Sequence, residues 1–509
     1  MIASGLNPVS GNMMRSTAGL VLGPLLFLIL IALPTPEGIE PAAMRVAAVT
    51  LLMATWWITE AIPIPATSLL PIVLFPLLGI MDGSEVTRAY GNHMVFLFMG
   101  GFFIAVTVQK WNLHRRIALH TIRLVGVTPE RIILGFMLST AFLSMLISNT
   151  AATMLMVTIG MAVLQQTVEK LEQQPGNTID IRKGHFKFGI ALMLGIGYSS
   201  SIGGIATLIG TAPNAIFAGI VEQTYNQTIN FVDWMKFAMP LSILMLIITW
   251  VYLTRFAFPS EIKEIPGGRD TFDQELQQLG SMTRQEFGVL MVLTLVAVLW
   301  LVNGLTDIAS LKFVKDSTIA IACALLLFII PANFKKREFL LDWKTAVTIP
   351  WDILILFGGG FALAMGFSES GLTKAVAEQL AVLEGTSLVF IIAGIATLVI
   401  LLTEVTSNTA TASIALPIMI ALAEAMQVHP YGLMITATIA ASFAFMLPVA
   451  TPPNAIVFSS RYVTIPQMVK AGIWLYLIGM VLITCFVMLA LPLVWDIDIS
   501  VFPAEFASE

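Results

Sequence analysis

Apolar runs at residues 17–34, 41–59, 236–254, 286–304 and 470–492 each approach the roughly 20 residues that carry a helix across a bilayer core about 30 Å thick. Such segments must satisfy their own backbone, because hydrocarbon offers no hydrogen-bond partners. With 57% hydrophobic and only 11% charged residues in 509, the chain reads as an all-α polytopic membrane protein. The first run is too long, and too soon followed by a second, for a cleaved signal peptide, so it reads as the first span. A net charge of -5 with dispersed basic residues gives no support to nucleic-acid binding. Cys323 and Cys485 lie in apolar runs and read as small buried hydrophobes, not as a disulfide or metal framework.

Basic residues near span ends favour the cytoplasm, and the 26 Lys and Arg residues sort accordingly. Segments 110–131, 166–188, 255–285 (including Lys263) and 332–348, with Arg15, Arg461 and Lys470, collect 20 of them inside; Arg45, Arg88, Lys236, Lys312, Lys315 and Lys374 fall outside. Residues 131–166 then lie between two basic loops and must enter and leave on one side. A single helix of that length would measure about 54 Å, so the segment folds back at Ser148-Asn149-Thr150. The same parity makes 386–427 a second fold-back, entered from the other side and bent at Ser407-Asn408-Thr409. Either a re-entrant hairpin or two short spans fits this pattern.

The two fold-backs belong to a repeat. Gly101-Phe102 matches Gly360-Phe361, Leu113 matches Leu372, Ser144 matches Thr403, and the two Ser-Asn-Thr triplets match, all at a separation of 259 residues. LIGTAPNAI (208–216) matches PVATPPNAI (448–456) at 240, the difference falling in the polar loop 165–188. Opposite entry makes this an inverted-topology repeat, the mark of secondary transporters with a midplane site. The expected architecture has eleven transmembrane helices and two re-entrant hairpins. Its parts are 1–130 (with an interfacial helix at 112–126), 131–235 (hairpin 131–166, broken helix 187–222), 236–385 (with a polar linker at 255–285 and an interfacial counterpart at 371–385) and 386–509 (hairpin 386–427, broken helix 430–460, last helix). The N-terminus is expected inside and the C-terminus outside.

A helix ending in mid-membrane leaves carbonyls unpaired, and one starting there leaves N–H groups unpaired. At each bend an arm ending near Ile147 or Thr406 offers partly negative carbonyls, and an arm starting at Ala151 or Ala410 offers partly positive amides. A cation and an anion can bind side by side, with Asn149 and Asn408 supplying both an acceptor and a donor. In the T-x-P-N stretches proline breaks the span. Gly210 and Ala450 then offer free carbonyls, and Thr211 and Thr451 offer hydroxyls. Oxygen donors of this kind suit a hard cation; without a formal carboxylate, sodium fits better than a divalent metal.

The paired triplets, the paired T-x-P-N breaks and WWITEAIPIPATSLLP (56–71) together resemble the divalent-anion/sodium symporter family, the INDY-type carriers of the ion transporter superfamily, over nearly the whole chain. The resemblance implies a homodimeric plasma-membrane (inner-membrane) carrier that takes up di- or tricarboxylates (succinate, malate, fumarate, citrate), or sulfate in some branches. It also implies two or more co-transported Na+ ions and elevator-type movement of a transport domain past a scaffold. Carried over by motif, one sodium site uses Ser144, Ser148, Asn149 and Gly210, and the other Thr403, Ser407, Asn408 and Ala450. Substrate carboxylates meet Asn149, Thr150, Asn408 and Thr409, with Thr211, Thr451 and Pro452 shaping the pocket. Exchanger branches place basic side chains near the pocket. No Lys or Arg is near either bend in the sequence, which favours sodium coupling over sodium-independent exchange.

Other readings are weaker. A lone triplet in a span is ordinarily helix-helix glue, but its repetition at a fixed separation argues for use. Glu404, an acid in an apolar arm, is either functional or a hydrogen-bonded structural group. The paired glycines Gly100, Gly101, Gly359 and Gly360 read as helix-packing positions. The five histidines sit at span ends or in loops and read as solvated. No nucleophile-base pair, His-Glu-x-x-His or paired aspartate marks an intramembrane enzyme. A channel pore is ordinarily built from repeated filters rather than from one inverted pair of bends.

Overall fold

The computed structural model describes residues 8–506 except 37, 127, 175–177, 263, 265–267 and 307–312. Lys263 and Lys312, assigned above to opposite faces, lie outside the described residues. The first half runs through α1 (Pro8–Ala32), α2 (Pro41–Thr59), the short α3 (Ile64–Thr67), α4 (Leu70–Leu77) and α5 (Gly83–Tyr90), then α6 (His93–Lys110) and α7 (Leu113–Val125). It continues with the arms α8 (Pro129–Ser144) and α9 (Asn149–Glu172) and the broken pair α10 (Lys187–Gly204) and α11 (Ala212–Tyr225). The second half holds α12 (Phe231–Val251), α13 (Gly268–Leu279), α14 (Arg284–Leu305), α15 (Asp316–Ile329), α16 (Trp343–Ala346), α17 (Trp351–Glu369) and α18 (Leu372–Leu380). The arms α19 (Leu388–Thr403) and α20 (Asn408–Met426), the pair α21 (Pro430–Ala440) and α22 (Pro452–Ser459), and α23 (Ile465–Cys485) and α24 (Leu491–Trp495) complete it. Among the described residues the only sheet is a two-stranded ribbon, Pro331–Asn333 with Glu338–Phe339.

Nine helices among the described residues are long and apolar enough to cross a membrane. They include α9 and α20, the departing arms of the fold-backs. Ile64–Leu77, Asp316–Ile329 and Pro430–Ala440 are apolar too but shorter. Length and composition therefore do not fix the number at eleven.

The loops sort onto two faces as their charge demands. On one, Lys110 pairs with Asp342, Arg115 with Glu275, Arg116 with Glu286 and Lys187 with Glu261, and Gln467 donates to the Gly184 carbonyl at 2.8 Å. On the other, Glu222 binds both His93 and Lys315, Trp495 Nε1 donates to the Asp233 carbonyl at 3.0 Å, and the Phe502 amide donates to the Gln427 carbonyl at 2.9 Å. The α8–α9 segment returns to the basic face: the Glu130 carbonyl there accepts from Trp250 Nε1 at 2.9 Å, and α9 packs on α13. The α19–α20 segment returns to the other face, where α18 lies along α20 and turns by 117° into α19.

Two expectations about polar segments need correcting. The 255–285 connection is no simple linker, because α13 docks on α7 through Arg115–Glu275 and Arg123–Asp273. Arg116 of α7 is buried, holding Glu286 at 2.9 and 3.1 Å and the Gly280 carbonyl at 2.9 Å. Nor is every histidine or cysteine where its run suggested. His429 is buried, its Nδ1 accepting from the Tyr431 amide at 3.2 Å, and Cys485 is exposed.

Small residues set the approach of the fold-backs to the broken helices, the means by which membrane helices come close. A Cβ on Gly203 of α10 would stand 2.3 Å from the Ala141 carbonyl oxygen of α8. The paired glycines behave as packing positions. A Cβ on Gly100 would meet the Ala320 backbone at 2.7 Å and one on Gly359 the Ser68 carbonyl at 2.6 Å, while Gly101 faces Ile209 and Gly360 faces Ser413. Thus α6 and α17 lie against the break of the first half and the departing arm of the second.

Candidate functional site

Each bend falls slightly earlier than its triplet suggested. The arriving helices stop at Ser144 and Thr403, and the departing helices start at Asn149 and Asn408, not at the alanines. The reason is capping. Ser148 takes the extended N-cap conformation, and its Oγ accepts from the Ala151 amide at 3.3 Å. The Asn and Thr of each triplet therefore contribute first-turn amides, which have no intrahelical acceptor. Ser407 takes the same place without a side-chain cap bond.

Behind each tip lies a matching cluster of oxygens. The Ser144 hydroxyl faces the Asn149 side-chain oxygen and, at 2.7 Å, the Ser200 carbonyl. The Thr403 hydroxyl lies 2.7 Å from Asn408 Oδ1 and 2.7 Å from the Ala441 carbonyl. One hydroxyl proton serves two acceptors in each cluster, so lone pairs remain that only a cation or a further donor can use. A Cβ on Gly204 would stand 2.7 Å from Asn149 Oδ1 and 3.1 Å from the Gly210 carbonyl oxygen, which gathers a fourth oxygen about the first tip. The carbonyls of Ser200 and Ala441 escaped the sequence reading because a backbone ligand leaves no residue-type signal.

The T-x-P-N breaks follow from their residues. Pro213 and Pro452 sit in the first turns of α11 and α22, where a missing N–H costs nothing. Thr211 and Thr451 are the N-caps, and Thr451 Oγ1 accepts from the Asn454 amide at 3.3 Å. The asparagine closing each motif staples the break. Asn214 Nδ2 donates to the Thr207 carbonyl at 2.8 Å, and Asn454 Nδ2 donates to the carbonyls of Ala444 and Leu447 at 3.0 and 3.1 Å. The second break is longer than the first, and Glu404 accounts for the difference. Its carboxylate accepts from the amides of Phe445 (2.7 Å), Met446 (2.8 Å) and Leu447 (2.9 Å), and the residue is 3% exposed. Of its two readings, this geometry is the structural one.

Both tips and both breaks meet in one cavity of about 1130 Å³. Ser148, Asn149, Thr150, Gly210 and Thr211 line it from one half, and Ser407, Asn408, Thr409, Ala450, Thr451 and Pro452 from the other. Ser144 and Thr403 stand behind the wall, fully buried, and act on it through Asn149 and Asn408. Phe98 and Phe102 of α6 and Ile353 and Leu356 of α17 form an apolar side, and Gln109, Thr348 and Pro350 mark a mouth toward the basic face. Four helix N-termini, those of α9, α11, α20 and α22, lie at this cavity. Each carries roughly half a positive charge, so an anion finds a favourable field there.

One cation does reach the cavity, against the expectation of no Lys or Arg near either bend. Arg15 of α1 lines the mouth, and its Nη2 donates to the Val405 carbonyl of the second bend at 2.8 Å and to the Ile58 carbonyl of α2. Its separation of 390 residues from Val405 hid it from the sequence reading. No group of three or more His, Cys, Asp or Glu side chains able to hold a metal ion occurs among the described residues.

Comparisons with known proteins bear on the fold and the family. Among solved structures, the Neisseria gonorrhoeae MtrF efflux pump is similar with a TM-score of 0.54 at 11% identity, covering 96% of each chain. The Alcanivorax borkumensis YdaH transporter is similar with a TM-score of 0.57 at 13% identity, covering 88% of this chain and 99% of that one. At such identity they speak for the membrane-transporter fold alone. Much nearer in sequence are proteins named sodium-dependent dicarboxylate transporter SdcS, from Staphylococcus saprophyticus (45% identical) and Staphylococcus aureus (47% identical), both over 485 residues covering 95% of this chain and 92% of theirs. Residues 15–496 match the family described as the sodium:sulfate symporter transmembrane region. By that match, and by its identity to the staphylococcal proteins, this chain belongs to the sodium:sulfate symporter family, the divalent-anion/sodium symporters that its paired motifs resemble.

Proposed function

We propose that this protein couples inward Na+ movement to the uptake of di- or tricarboxylates such as succinate, malate, fumarate and citrate. The observation that carries the reading is the meeting of four helix N-termini and two hydroxyl-amide-carbonyl clusters in one cavity. A dianion there is held by helix ends and by Asn149, Thr150, Asn408 and Thr409, and its charge is offset by co-bound cations, because an uncompensated buried charge is very costly. Two Na+ ions, one in each oxygen cluster, neutralise a dianion. Ser144, Ser148, Asn149 and Gly210 hold the first, and Thr403, Ser407, Asn408 and Ala450 the second, with the Ser200 and Ala441 carbonyls closing each set. Thr211, Thr451 and Pro452 shape the anion's pocket.

Dicarboxylate is favoured over sulfate by the names of the staphylococcal relatives. Sodium coupling is favoured over exchange by those same names. Residues 131–235 and 386–509 form the moving part and 1–130 and 236–385 the scaffold of an elevator, in a homodimer of the plasma membrane. The basic face lies in the cytoplasm, which puts the N-terminus inside and the C-terminus outside and makes the cavity inward-open. The test is uptake of radiolabelled succinate, citrate and sulfate into proteoliposomes, with Na+ or choline outside. Saturable succinate uptake that requires Na+ is expected; equal uptake in both cations overturns the symport reading, and a preference for sulfate overturns the substrate.

A further inference from the structure

We infer that Arg15 is a positioning residue, a latch that ties the second fold-back to α2 and holds the cavity open toward the basic face. The α1 helix from which it projects is seated on α2. A Cβ on Gly19 would collide with Thr59 Oγ1 at 1.9 Å, one on Gly23 would meet Trp56 Nε1 at 2.6 Å, and Trp56 Nε1 donates to the Gly19 carbonyl at 3.1 Å. The guanidinium is thereby placed over the last turn of α2, whose Ile58 carbonyl it takes. Its other acceptor, Val405, lies just beyond the end of α19. Both acceptors are carbonyls at helix C-termini, where no intrahelical N–H is available and the partial charge is negative. One cation thus joins two negative helix ends from different parts of the chain.

The consequence rests on the transport reading above. If the second fold-back moves with its cargo while α1 and α2 stay, the Val405 carbonyl leaves the guanidinium and loses its donor. Among the described residues no basic side chain holds the carbonyl of Leu146, which occupies the place of Val405 in the first bend, and the carbonyl of its neighbour Met145 accepts from Thr207 Oγ1 at 2.7 Å within its own half. The latch is therefore one-sided, acting on the second fold-back alone and on the face where the cavity opens. Because Val405 lies two residues before Ser407 of the cation cluster, the same guanidinium opposes cation binding there until it lets go.

The test uses the full-length protein with Cys323 and Cys485 replaced by alanine and Val449→Cys added as a reporter, Val449 being an exposed residue of the cavity wall. Membrane-impermeant maleimide applied to the face opposite the basic loops labels the reporter only while the cavity is open to that side. In Arg15→Gln this labelling is expected to rise about tenfold, the effect of losing one charge-assisted hydrogen bond from one of two states; Arg15→Lys is expected to stay near the parent. As a second measurement, Arg15→Cys with Val405→Cys is expected to cross-link with a bis-methanethiosulfonate, which forms a disulfide with each thiol, and the cross-link to arrest transport until those disulfides are reduced. Labelling of Arg15→Gln at the parent rate, or a cross-linked protein that still transports, overturns the latch. The maleimide readout does not need the solute to be known, so failure of the carboxylate assignment leaves it intact.

Discussion

Replacing Glu404 separates a structural acid from a cation ligand. Its two oxygens accept three backbone amides of the second break: Oε1 takes Phe445 and Met446, and Oε2 takes Leu447. In Glu404→Ala all three amides lose their acceptor inside the protein. An unsatisfied buried N–H costs about 1–3 kcal/mol, so the loss is at least about 3 kcal/mol. In Glu404→Gln the amide oxygen keeps two bonds, and its NH2 opposes the Leu447 N–H; one orphaned donor costs about 1–3 kcal/mol. The expected order of stability is wild type, then Gln, then Ala, read by SDS titration of the purified protein in mixed micelles. Because no ion is assigned to this carboxylate, the Na+ concentration for half-maximal uptake by Glu404→Gln is expected to match the wild type. The reasoning is refuted if Glu404→Ala is as stable as the parent, or if Glu404→Gln shifts the Na+ dependence while leaving stability untouched.

Further outcomes follow from the same geometry. Ser144→Ala and Thr403→Val each remove the hydroxyl at the centre of an oxygen cluster and are expected to raise the half-saturating Na+ concentration roughly tenfold, the equivalent of about 1.4 kcal/mol, whereas Thr403→Ser stays near the parent; unchanged Na+ dependence in both shows that the clusters are not cation sites. Gly203→Ala forces a Cβ to within 2.4 Å of the Ala141 Cα and is expected to lose about 1–3 kcal/mol in SDS titration, while Gly394→Ala, where a Cβ meets nothing within 4 Å, loses none. Burial pushes the His429 imidazole down from 6.5 to about 4, so between those values the unfolded chain binds the proton and the folded one does not; the stability His429 supports is complete above pH 6.5 and is lost as pH falls toward 4. Hydrogen exchange in residues 497–506, which pack on His429 through Ile499 and Phe506, is expected to quicken over that range and to lose its pH dependence in His429→Phe.

Much of this protein was legible without coordinates, because the bilayer reduces the choices. Apolar runs had to be helices, basic loops had to share a face, and a segment bounded by basic loops on both sides had to turn back. Those three demands located both fold-backs, and the repeat at 259 and 240 residues paired them with the broken helices. The residues that meet in the cavity were legible for the same reason, since a polar triplet repeated in an apolar arm has few other uses.

Tertiary structure decided what depends on backbone atoms and on distant partners. The Ser200 and Ala441 carbonyls complete the oxygen clusters, yet every residue has a carbonyl, and only the approach of α8 to α10 and α19 to α21 selects these two. Glu404 was ambiguous in one dimension because its acceptors' partners lie 41–43 residues away. Arg15 was invisible as a neighbour of the second bend for the same reason, at 390 residues. Side-chain type and spacing report the energy of moving a segment into hydrocarbon, a local quantity; which helix ends then face one another is settled only when small residues let whole helices close together.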